Sequence, residues 1–411
     1  MTKASSVLVK VAVFALCSGA VMAHAQMTWI GTWTSNPTGL PTTEKMGSYA
    51  IPASILVKGT MRYRLRVSQG GDQVRLKLSN EYGRTPLALA AVTVGIAGDG
   101  LDARPGSLKK ALFDGKPNVV IPAGAPVLTD PVDLSIKSLS DLVVSVYVPE
   151  GISVTPWATE ASALDPGLAV DTDASLLERF SFRKRVWSRP IVSAVNVLTD
   201  RRPKVVVTLG DSITDGSTDP ATGERGWPGA LSRRLQEQNV SVVNAGIGGN
   251  RLLQSMEFMG RSALSRLEQD VFSVPGITHI LVLEGINDIG MSGKGGMFGD
   301  FPVVRSDELI TAYFQIITRA HERGIKVIGA TIMPFEGADY FSKEKEKVRT
   351  DINGWIRFSG SFDGVIDFDA ALRDPEQISK LKPEYDPGDH LHPNHAGCRH
   401  MGDVIDPKLF K

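Results

Sequence analysis

The sequence predicts an α/β domain built on a parallel sheet, preceded by an antiparallel β-sandwich. Three observations carry this. From Lys204 onward, short continuous apolar runs alternate five times with longer, helix-like stretches. Between about Met27 and Pro149, apolar residues recur at every second position, broken by glycine and proline. A chain of 411 residues is long enough for two or three domains.

Composition removes several function classes. The chain carries 45 basic and 45 acidic residues, so no global charge draws it to nucleic acid or an anionic membrane. With 42% hydrophobic and 22% charged residues it reads as globular rather than disordered. The two cysteines, Cys17 and Cys398, are too few for a disulfide framework or a cysteine-based zinc cluster.

Residues 1–25 read as a signal peptide. Lys3 and Lys10 give a positive start, the apolar run at 11–22 is shorter than the ~20 residues of a membrane span, and Ala23-His24-Ala25 has the small-x-small form of a cleavage site. The short run weighs against an uncleaved anchor, and the bulky Leu16 weighs against lipidation at Cys17. Cleavage after Ala25 leaves two more acidic than basic residues and leaves Cys398 without a disulfide partner. The expected location is periplasmic or extracellular, with no integral membrane segment after cleavage.

Residues 26–150 are expected to form the sandwich. Met61, Tyr63, Leu65 and Val67 alternate with Arg62, Arg64 and Arg66. Beyond Gly70-Gly71, Val74, Leu76 and Leu78 alternate with Arg75 and Lys77, which together predict a half-buried hairpin. The alternation returns at Val132, Leu134 and Ile136, and again at Leu142, Val144, Val146 and Val148. The arginine row reads as a solvated sheet face or as a contact for an anionic glycan. Residues 151–203 are less periodic and read as a connector packed between two domains.

Residues 204–411 hold the α/β domain. Strands are predicted at 205–209, 240–243, 280–283, 327–331 and 365–367, with helices at 228–238, 262–272, 307–323 and 343–358. Continuous apolar strands of this kind are buried on both faces of a parallel sheet, and ligands sit beyond their carboxyl ends. The chemistry-bearing residues fall there.

The first strand runs into Gly210-Asp211-Ser212-Ile213-Thr214-Asp215-Gly216. A serine on a tight strand-to-helix turn presents its hydroxyl at the sheet edge, although a serine there can equally cap a helix. The second strand ends in Asn244-Ala245-Gly246-Ile247-Gly248-Gly249-Asn250-Arg251. Arg251 stands where a dinucleotide fingerprint needs its third glycine, but the loop lets backbone N–H groups approach a ligand. The third strand ends in Glu284-Gly285-Ile286-Asn287-Asp288, where Asn287 either offers an amide to an oxyanion or stabilises its own turn. After the fifth strand, Asp389 and His392 stand close enough in one loop to supply a base and the carboxylate that orients it. The rival reading is a metal held by Asp389, His390 and His392, without any strong ligand spacing to support it. His395 and His400 read as packing or surface residues of a final helix.

Together, in this order, GDSITDG, NAGIGGN, GIND and DHLHP resemble the four sequence blocks of the SGNH hydrolases, also called the GDSL esterase/lipase family. The resemblance covers about 204–405; Ile213 replaces the leucine of the name, a volume-conserving change. It implies a three-layer α/β/α domain of flavodoxin-like strand order, serine esterase chemistry, no cofactor and no metal. It also implies Ser212 as nucleophile, His392 as its base and Asp389 as the orienting acid. The implied oxyanion donors are the Ser212 N–H, the Asn287 amide and a glycine N–H, with Gly249 favoured and Gly248 the alternative. An exported chain with a β-rich front domain is similar to secreted bacterial members, whose front domain resembles a carbohydrate-binding jelly roll. The expected activity is hydrolysis of carboxylic esters of short acyl or acetyl groups, some of them on glycans. A lipase or lysophospholipase acting on longer chains is the alternative. A carbohydrate-binding protein with an idle site is the third reading, and the intact Ser, Gly, Asn, Asp and His set argues against it.

Overall fold

Runs of apolar residues long enough to be covered on both faces build the central sheet of the second half. Strands Val240–Gly246, Lys204–Gly210, Ile277–Leu283, Lys326–Ala330 and Gly364–Ile366 lie side by side in that order, all parallel. Val205, Val206, Val207, Ile280 and Leu281 are completely buried, as their unbroken apolar runs require. The computed structural model describes residues 26–51, 53–154, 167–168, 172–181, 189 and 191–411. The expected signal peptide, with Cys17, and much of the expected connector lie outside the described residues.

Helices connect the strands. Helices α1 (Ser212–Asp215) and α2 (Gly226–Arg234) follow the first strand, and a short 3-10 turn at Gln236–Gln238 completes the segment predicted as one helix. Helix α3 (Ala263–Arg266) continues as a π-helical turn, Leu267–Phe272. Then come α4 (Ile286–Met291), α5 (Ser306–His321), α6 (Lys343–Phe358), α7 (Phe368–Leu372) and α8 (His395–Val404). The helices pack in two groups, α2 and α7 against α8, and α5 with α4 against α6. None of the described helices is long and apolar enough to cross a membrane.

The first half forms two antiparallel sheets. One contains Thr28–Thr34, Val192–Thr199, Gln73–Ser79 and Pro126–Leu128 in that order. The other contains Gly167–Leu168, Ile55–Arg66, Asp141–Val154, Ala91–Ile96 and Lys109–Lys110. Strand Val192–Thr199 lies within the segment read as a connector, yet it is an inner strand of the first sheet.

The expected hairpin across Gly70-Gly71 does not form. Its two strands fall in different sheets, Ile55–Arg66 in one and Gln73–Ser79 in the other. Between them the backbone presses against a distant segment. Gly71 N–H donates to Ile136 O at 3.0 Å, and a Cβ on Gly70 would lie 2.2 Å from that same oxygen. The arginine row is not a free surface either. Arg62 is fully buried, donates to Ser145 Oγ, Leu101 O and Ser175 O, and stacks on Phe180. Arg64 and Arg66 both pair with Asp141.

Strand Val240–Gly246 is an edge of the parallel sheet, and residues of the β-rich first half cover it. Gln69 Nε2 donates to Val240 O at 2.9 Å, Ser68 Oγ accepts from Val242 N–H at 2.8 Å, and Thr34 Oγ1 donates to Asn244 O at 2.7 Å. Successive outward-facing backbone groups of an open edge are thereby satisfied.

Candidate active site

Helix α1 begins where the first strand ends, and Asp211 caps it by accepting the Ile213 N–H at 2.9 Å through Oδ1. The cap sets Ser212 on the first turn, half-buried at the carboxyl end of the sheet. Ser212 Oγ lies 2.8 Å from His392 Nε2, and His392 Nδ1 lies 2.6 Å from Asp389 Oδ2. Asp389 Oδ1 accepts the backbone N–H groups of Leu391 and His392, both at 3.0 Å, so one carboxylate shapes the turn and holds the ring. Burial pushes the Asp389 carboxyl up, but hydrogen bonds from the His392 ring and these backbone groups outweigh it and hold the carboxyl at about 2.

The loop after the second strand approaches from the other side. Asn244 Nδ2 donates to Thr214 O at 2.8 Å, tying that strand to α1. Gly248 N–H donates to Asp215 Oδ2 at 3.2 Å, whereas Gly249 adopts φ +74°. A Cβ on Gly249 would lie 2.6 Å from Met259 Sδ. Asn287 Nδ2 donates to Asn250 O at 3.0 Å, and its second amide hydrogen is left for another acceptor. The structure thus brings Ser212, Asp389 and His392 into one hydrogen-bonded chain and ties Asn287 to the glycine loop.

Three side chains outside the expected set surround this loop. Asp288 accepts the Leu252 and Leu253 N–H groups at 2.6 and 2.9 Å, and burial still pushes its carboxyl up to about 6. Arg266, fully buried, donates to Asn250 Oδ1, Ala245 O and Gly210 O, joining the first two strand ends. Glu284 is buried beside Asp211; burial and then the charge of Asp211 raise it well above the usual carboxylate range. Asp288 and Arg266 act on groups far away in sequence, which no local pattern marks.

His390 stands apart from the Ser212–His392–Asp389 chain. Its Nδ1 pairs with Asp386 Oδ2 at 2.5 Å, making a second His–Asp pair in the same loop, with φ +60°. Among the described residues, no group of three or more His, Cys, Asp or Glu is arranged to hold a metal ion. His395 and His400 lie on α8, where His400 stacks on Tyr385.

Residues 208–400 match the family model described as "GDSL-like Lipase/Acylhydrolase family". A comparison with curated proteins found no match. Among solved structures, the chain is similar to a GDSL-like lipase from Bacteroides thetaiotaomicron, with 19% identity and a TM-score of 0.37 over 50% of this chain and 87% of that one. An acetyl xylan esterase variant from Geobacillus stearothermophilus gives 20% identity and 0.38 over 51% and 95%. An aryl esterase from M. smegmatis gives 16% and 0.37 over 49% and 95%.

Proposed function

We propose that the protein is a serine esterase that hydrolyses carboxylic esters through an acyl-enzyme. The observation that carries this is the continuous chain Ser212 Oγ–His392 Nε2–Asp389, with contacts of 2.8 and 2.6 Å. Ser212 Oγ attacks the ester carbonyl as His392 takes its proton. Asp389 keeps the proton of the neutral ring on Nδ1 and stabilises the imidazolium that forms. The negative oxygen is held by the Ser212 N–H, the Gly249 N–H and the free hydrogen of the Asn287 amide. Gly249 is chosen over Gly248 because the Gly248 N–H is already given to Asp215. The tetrahedral intermediate collapses as His392 protonates the leaving alcohol. Water then attacks the acyl-enzyme with the same histidine as base, releasing the acid and Ser212.

The acyl group in this reading is short. Met259 lies against Gly249, in a buried cluster with Met256, Phe258 and Met291, and this wall beside the glycine is what supports a short acyl group. Export belongs to the same reading, supported by Lys3, Lys10, the apolar run at 11–22 and Ala23-His24-Ala25. So does the division at about 204 into a sandwich and a hydrolase domain.

Hydrolysis of 4-nitrophenyl esters from acetate to palmitate tests the proposal. Acetate to butyrate should be the best substrates, and an alkyl phosphonate should label Ser212. Ser212→Ala and His392→Ala should each lower kcat by about 10⁴-fold or more, because such residues act as a unit. Full activity in Ser212→Ala would overturn the mechanism, and a preference for palmitate would overturn the short acyl group.

A further inference from the structure

A cavity of about 380 Å³ lies between the sandwich and the α/β domain, and none of Ser212, Gly249, Asn287, Asp389 or His392 lines it. Trp33, Leu65 and Val67 from the sandwich face Pro228 and Val242 across it, and the loop 217–225 closes one side. Its size is that of a small-molecule site. Its apolar walls suit an aliphatic body.

Among the described residues the charges around it do not balance. Arg66, Arg225, Arg233 and Arg399 line the cavity, against the single carboxylate of Glu224. Glu224 is held by Arg233, and Arg399 by Asp219. The other two carboxylates behind the wall are each shared by two guanidinium groups. Asp141 holds Arg64 and Arg66, and Asp215 holds Arg189 and Arg225. Asp215 is 1% exposed and both of its arginine partners are 12% exposed, so this excess positive charge is screened little by water. Burial, and then the nearby Arg189, hold the Arg225 guanidinium well below its usual range. Arg225 and Thr218 both line the cavity, and behind its surface Arg225 Nε–H and the Thr218 hydroxyl are buried without a hydrogen-bond partner among the described residues.

We propose that this cavity is a second binding site, for a medium-chain aliphatic carboxylate. The chain lies against Trp33, Leu65, Val67 and Pro228. The head group, with one negative charge, lies beside Arg225 and Thr218 and answers the excess positive charge. The site does not depend on ester hydrolysis at Ser212. The Glu224 carboxylate, which also lines the cavity, would favour an alcohol head group instead. The two head groups are therefore compared directly.

Calorimetric titration with octanoate and with octan-1-ol makes the comparison. Octanoate should bind at least tenfold more tightly than the alcohol. Arg225→Gln should weaken octanoate at least tenfold. Arg399→Gln, at a 42% exposed side chain, should fold normally and weaken it about threefold. A crystal soaked in 8-bromooctanoate should show the bromine between Trp33 and Pro228. Equal or tighter binding of the alcohol overturns the proposal, as does unchanged octanoate affinity in Arg399→Gln or in a folded Arg225→Gln. A bromine found only beside Ser212, or no bromine at all, overturns it whether or not Arg225→Gln folds.

Discussion

Asp211 and Glu284 bury two carboxyl groups against each other directly behind Ser212, and each is the other's hydrogen-bond partner once one keeps a proton. Asp211 Oδ2 and Glu284 Oε1 receive no N–H or O–H from any other described group, so a single shared proton satisfies both. Burial pushes Asp211 up to about 6 and, with the charge of Asp211 added, raises Glu284 well above the usual range. A folded-state pKa above the unfolded one means that stability is fully present below about 4 and is lost as pH rises through about 6 and beyond.

Glu284→Gln should therefore remove the need for the proton. Its amide can donate to an ionised Asp211 without any titration. The variant's Tm relative to wild type should rise steadily between pH 4 and pH 8. Thermal melts across that range check this, and parallel curves for the two proteins would refute the shared proton.

Gly249→Ala should lower kcat by about 10²–10³-fold, the worth of one oxyanion donor. Two separate causes act. A side chain at φ +74° costs about 1–2 kcal/mol, and the new Cβ would meet Met259 Sδ at 2.6 Å. Adding Met259→Ala removes the contact but not the backbone strain. Steady-state kinetics on an acetate ester should therefore show partial recovery in the double variant. Full recovery would mean that φ at Gly249 is unimportant.

His390→Gly should be more stable than His390→Ala by about 1 kcal/mol. Both variants lose the pair with Asp386, a half-exposed contact worth little. Only glycine relieves φ +60°, and that gain outweighs its greater freedom in the unfolded chain. Denaturant melts of the two variants test the order, and an alanine variant as stable as the glycine variant would contradict it.

Much of this was legible in the sequence, and the rest was hidden for identifiable reasons. The five parallel strands and the helices at 306–321 and 343–358 lie within a few residues of their expected places, because burial on both faces writes an unbroken apolar run. The hairpin misled because alternation tells which face of a strand is buried but not which strand lies beside it. Strand Val192–Thr199 escaped because a register shift between Val192 and Ala194 breaks its period of two. Ser212, Asn287, Asp389 and His392 were legible because each stands in a short motif just beyond a strand or in the last loop. Arg266 was not, since its three backbone and side-chain acceptors at Gly210, Ala245 and Asn250 meet only in the folded chain.

The covered edge of the parallel sheet depends on the β-rich first half. Residues 204–411 hold Ser212, Gly249, Asn287, Asp389 and His392, yet without the sandwich strand Val240–Gly246 would present Val240 O, Val242 N–H and Asn244 O to water or to another chain. Unpaired edges of this kind template intermolecular pairing. The same strand would lose its packing against Thr28–Thr34, including the bond from Ser241 Oγ to Gly31 O at 2.8 Å. Expressed alone, 204–411 should therefore be recovered mainly as aggregate. In the full chain, Ser68→Val removes the acceptor of the Val242 N–H and should cost about 1–3 kcal/mol, leaving a buried donor unmatched. Chemical denaturation of Ser68→Val and light scattering of the isolated segment measure the two effects. A monomeric 204–411 with the stability of the whole protein would show that the sandwich is dispensable to this edge.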